Sequence, residues 1–151
     1  MKRQKILFTA LVLSLTLLCV SVCAQMARPY HNGSVWMLAF IRIKPGMDAA
    51  YMNHVATEWK GIQEAAKKEG LILSYKVLVT EGHTPGDWNL ILMTEVKDLA
   101  ALEAGEKKAD ALAQRLVGDD KKQMQGYHER EEIREIIGNR IAREIVLEPE
   151  R

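Results

Sequence analysis

Two side chains near the middle of the chain, His54 and Glu58, have the types and the spacing for acid–base chemistry. They stand four residues apart in a helical pattern, so their side chains can touch. Glu58 then falls roughly 60° and His54 roughly 100° from the centre of that helix's apolar face. This shoulder position suits a cavity mouth, with His54 as general base and Glu58 orienting it. The plain alternative is a boundary pair worth a few tenths of a kcal/mol. Tyr75 lies in a strand-like run and can offer a hydroxyl to the same place, or simply fill the core. His83 sits in a turn beside Pro85 and Gly86. His128 is followed by Glu129, Glu131 and Glu132, but no second His stands at ligand spacing, so no metal site is expected. The sequence holds no phosphate-cradling glycine motif and no nucleophile elbow.

The elements that must position these groups are legible from periodicity. Residues 71–79 and 88–96 are two apolar, β-rich runs separated by a Gly/Pro turn, which reads as a hairpin. Before it, residues 47–69 form a helix whose Tyr51, Val55, Trp59, Ile62 and Ala66 share one face, closed by Gly70. After it, residues 98–117 form a second helix with Asp98 at its N-cap and Gly118 at its end. Gly105 lies on this helix's packing face, where it would allow close approach to the sheet. Residues 35–44, stopped by Pro45-Gly46, are the first strand, and residues 139–147 the last. The segment 121–138 is rich in charge and lacks a clean stripe; it is read as a helix. The order is β-α-β-β-α-β, an α+β, ferredoxin-like split βαβ fold with an extra C-terminal helical segment before the last strand.

In this fold the first and third strands are expected as a central parallel pair. Both are apolar on both faces over most of their length. Helices cover one face; the other calls for a second sheet, supplied by a second copy of the chain. A homodimer is therefore expected, the alternative being that the C-terminal segment folds under the sheet. Trp36, Phe40, Tyr51, Trp59 and Tyr75 are expected to converge where helices meet sheet, as the wall of a small-molecule site.

Residues 1–24 read as a signal peptide: Lys2, Arg3 and Lys5, then an apolar run, then Val22-Cys23-Ala24 at the cleavage position. Its removal takes both cysteines, so disulfides play no part. It also lowers the 21 basic residues to 18 against 20 acidic ones, a balance that argues against nucleic acid. Export to the periplasm or the medium of a bacterium follows, with no membrane association after cleavage. Residues 25–34 read as a flexible arm and 35–149 as the domain.

The runs WMLAFIRIKPG, the helix bearing Tyr51 and Trp59, and GDWNLILMTEVKDLAAL together resemble the dimeric α+β barrel superfamily, with its antibiotic-biosynthesis monooxygenase, NIPSNAP and EthD-like groups. The resemblance covers roughly residues 34–149. It implies a ferredoxin-like protomer whose sheets pair back to back, and a small molecule held between helices and sheet. Members include cofactor-free oxygenases, isomerases, haem-degrading enzymes and binding proteins. The haem-degrading ones take an axial His from the second helix, and residues 98–117 hold none; no cofactor is implied. Three functions remain open: binding of a small apolar or aromatic ligand, cofactor-independent oxygenase or isomerase chemistry, and a structural or interaction domain.

Overall fold

A computed structural model of the chain describes residues 28–80 and 86–148. Four strands form one sheet: β1 (Tyr30–Ile43), β2 (Ser74–Val79), β3 (Leu90–Val96) and β4 (Arg134–Leu147). The first helix runs as α1 (Asp48–His54), a single π turn (Val55–Trp59) and α2 (Lys60–Lys68). Two more follow the hairpin, α3 (Leu99–Leu116) and α4 (Asp120–Glu131). The sheet order is β2-β3-β1-β4. The architecture is the ferredoxin-like α+β arrangement with one added helix.

Chain-end chemistry explains where the helices stop and start. Gly70, at φ +71°, follows the first helix; Leu71 N–H bonds back to the Ala66 carbonyl and Gly70 N–H to that of Lys67. This is the glycine-closed Schellman geometry the sequence announced. Asp98 accepts from Ala101 N–H at 2.7 Å, and Asp119 from Lys122 N–H at 2.9 Å, capping α3 and α4.

The central pair corrects one expectation. β1 and β3 are antiparallel, with Val35 opposite Val96 and Ile41 opposite Leu90. The reason is topological: β1 and β2 are joined by a helix and run the same way, and β3 lies between them as the return strand of a hairpin. β1 also begins at Tyr30, not Val35, because Tyr30, His31 and Asn32 pair with Leu147, Val146 and Ile145. The residues read as the end of a free arm are strand.

The core lies under the helices. Ile41, Ile43, Tyr51, Val55, Leu90 and Leu92 form its centre, with Trp59 and Ile136 packed against it. On the opposite face the register sets Leu78, Ile91 and Phe40 in one row and Met93 and Leu38 in the next. Trp36 lies there too, with the Lys76 ammonium 5.0 Å from its ring centre. Trp88 precedes the start of β3 and packs edge-on against Phe40, ring centres 5.1 Å apart. Among the described residues no element covers this face, and β4 widens the sheet instead of folding beneath it.

β4 begins earlier than expected, at Arg134, so the segment read as a helix over 121–138 is helix only to Glu131. Ile137 is an extra residue in β4, a bulge between the pairs Phe40–Gly138 and Ile41–Ile136. Gly105 does not bring α3 against the sheet. A methyl group there would meet only the Leu71 side chain, at an ordinary 3.5 Å.

Candidate functional site

A cleft of about 570 Å³ lies between the sheet and the helices, within the usual range of small-molecule sites. Its floor is Ala39 and Ile41 of β1, Leu92 of β3, and Arg134 and Ile136 of β4. Tyr51, His54, Glu58, Trp59 and Ile62 of the first helix form one wall. Val117 and the α4 residues Gln123, Met124, Tyr127 and Arg130 form the other. Of the residues singled out from sequence, His54, Glu58, Tyr51 and Trp59 meet here.

The π turn is what delivers the wall. Lys60 N–H reaches back to the Val55 carbonyl, five residues away, which adds a residue to the turn carrying Glu58 and Trp59. The Thr57 hydroxyl donates to the Asn53 carbonyl at 2.8 Å on the same turn, a contact that bends helices. Such turns recur at functional sites.

His54 is largely sheltered, its side chain 18% exposed, while Glu58 stands 64% exposed with Oε2 3.5 Å from His54 Nδ1. Burial lowers the His54 pKa below its ordinary 6.5, and the nearby Arg130 lowers it further, against the opposing pull of Glu58. The imidazole is thus held neutral, the form able to accept a proton. Its ring lies 5.9 Å from that of Tyr51. Tyr51 is 2% exposed, and burial raises its pKa, while Arg134 and Arg130 work in the other direction.

Three expected members stand elsewhere. Trp36 and Phe40 belong to the uncovered face, since alternation along β1 sends them away from Ala39 and Ile41. Tyr75 is on the helix side, edge-on to Trp59 with ring centres 5.4 Å apart, but its hydroxyl donates to Glu64 outside the cleft. That bond also raises the Tyr75 pKa, so the hydroxyl stays protonated. His83 lies outside the described residues. His128 is exposed, 3.3 Å from Glu131, and among the described residues no three acidic, His or Cys side chains gather as a metal site.

Sequence reasoning missed Tyr127, Arg130 and Arg134. Arg134 is only 5% exposed. Its guanidinium donates to the Tyr51 hydroxyl and lies 5.2 Å from the centre of the Tyr127 ring. The signal that could have found it was alternation: Arg134 and Ile136 share one side of a β pattern that the charged residues around them disguised as helix.

No family model matches the chain, and no curated protein matches it. Solved structures do. One is a NIPSNAP family protein of unknown function from Agrobacterium tumefaciens, 16% identical, TM-score 0.48, covering 78% of this chain and 92% of that one. HapK from Hahella chejuensis is 11% identical, TM-score 0.47, covering 72% and 90%. A dimeric ferredoxin-like protein from an uncultured marine organism is 12% identical, TM-score 0.43, covering 77% and 96%.

Proposed function

We propose that this is an exported small-molecule-binding protein whose ligand lies in the cleft between the first helix, α4 and the sheet. The observation that carries the reading is the cleft itself: an apolar and aromatic lining of ligand size with a few convergent polar groups. A domain used only for interaction has no need of it. Trp59 is the one of the chain's three tryptophans that lines the cleft, so a Trp36→Phe/Trp88→Phe variant reports on it alone. A panel of aromatic ligands should shift its emission and raise the melting temperature. No response in either measurement across the panel overturns the reading.

A second reading is favoured by one observation, the neutral His54 at the cleft wall beside Glu58. It makes the protein a cofactor-independent oxygenase or isomerase that removes a proton from the bound molecule. If His54→Ala leaves turnover of a binding compound unchanged, that reading is removed.

The same proposal includes a homodimer formed through the uncovered sheet face. Its support is the half-buried patch of Trp36, Leu38, Phe40, Ile91 and Met93, a large apolar area for a free surface. A monomer in sedimentation at micromolar concentration would count against it. Export rests on residues 1–24, which lie outside the described residues. N-terminal sequencing of the secreted or periplasmic protein should begin at Gln25.

A further inference from the structure

The geometry points to an anionic ligand: we infer that the molecule in the cleft is a planar organic acid whose carboxylate docks on Arg134, with Arg130 beside it. This rests on the cleft being a binding site. Arg134 is almost wholly buried, yet among the described residues no carboxylate approaches either arginine within ion-pair distance. A buried cation without a counter-ion is costly, and proteins seldom keep one idle. Its protein partners are a neutral hydroxyl, from Tyr51, and an aromatic face, from Tyr127. The guanidinium carries five N–H donors in a fork matched to a carboxylate, more than the Tyr51 oxygen can use. None of its nitrogens is both buried and without a partner, and Arg134 is part of the cleft lining.

The acids that do face the cleft are Glu58, engaged with His54, and Asp120, at the start of α4. Arg130 lies close enough to lower the pKa values of both Tyr51 and His54. The positive end of the cleft is therefore the end where Tyr51, Tyr127 and Arg134 meet. A flat ring has Trp59 and Tyr127 to lie against.

The bulge at Ile137 sets this charge. With the register Phe40–Gly138 continued unbroken, Ile137 would oppose Ile41 and Glu135 would oppose Ile43. The extra residue reverses the alternation, so Arg134 and Ile136 face the cleft and Glu135 turns to the other face, where it meets Arg42. One inserted residue exchanges an acid for a base at the cleft floor.

The test compares matched acids and amides by calorimetry: benzoate and benzamide, 2-naphthoate and 2-naphthamide, indole-3-acetate and indole-3-acetamide. In each pair that binds, the acid should bind about tenfold more tightly or better, the range expected for a charge-assisted fork. Arg134→Gln should remove most of that preference, and Arg130→Gln part of it, weakening the acid far more than the amide. Arg134→Met, which removes the charge and leaves no polar group in its place, stands in if Arg134→Gln fails to fold. Equal binding of acid and amide overturns the inference and leaves the cleft reading standing. No binding by any pair overturns both. An acid preference that survives Arg134→Gln, or Arg134→Met in its place, together with Arg130→Gln takes the assignment away from these arginines.

Discussion

Tyr51→Phe is the sharpest probe of the cleft floor, because it deletes one oxygen from a buried site and changes little else. The ring remains in the core, still against Ile41, Val55 and Leu90. What is lost is the acceptor for a guanidinium that is itself 5% exposed. A hydrogen bond to a charged group contributes about 1.5–3 kcal/mol, and the loss is felt fully when the charged partner stays buried. Melting temperature moves roughly 3–5 °C per kcal/mol at this size, so Tyr51→Phe should melt about 5–15 °C lower. The assay is calorimetric melting of the wild type, Tyr51→Phe, Arg134→Met and the double variant. The cycle should show coupling of about 1 kcal/mol or more, with the double variant less unstable than the sum of the singles. A Tyr51→Phe melting temperature within about 1 °C of wild type, or strict additivity, would refute the contact and with it the account of Arg134.

Protonating His54 costs more in the folded chain than in the unfolded one, because burial holds its folded pKa below 6.5. Its contribution to stability is therefore complete above about pH 6.5 and lost as pH falls from there through the folded value. His54→Gln should flatten that part of a melting-temperature profile. Gly105→Ala adds a methyl that meets Leu71 at ordinary contact distance and should stabilise by about 0.5–1 kcal/mol, read from urea midpoints. Leu38→Arg on the uncovered face should yield a monomer in sedimentation with a melting curve close to that of the wild type's own monomer.

Much of the fold was legible because its signals are local. Glycine at a helix end, aspartate at a helix start and five apolar residues on one helical face each follow from the chemistry of a few neighbours. Strand direction is not local. It follows from which strand returns between β1 and β2, and an apolar run looks alike in either sense. The site divides the same way. His54, Glu58, Tyr51 and Trp59 share one helix, so their spacing foretold their meeting. Trp36 and Phe40 were assigned by residue type, and alternation placed them on the far side. Arg134 was hidden because its position depends on a bulge, and a bulge is decided by pairing with a strand about ninety residues away.

The pairing of β1 with β4 also has a consequence in time. Ser34 reaches Glu144 across 110 residues of sequence, and β1's only other partner, β3, lies beyond the first helix and β2. As the chain is made from its N-terminus, β1, with its apolar run from Val35 to Ile41, is the first of the strands to emerge and must wait longest for both neighbours. Contacts this distant in sequence slow folding, and the unpaired strand is a place for aggregation until they form. The domain is complete only when its last strand arrives, so truncation within β4 should be far more damaging than its charged, largely exposed sequence suggests.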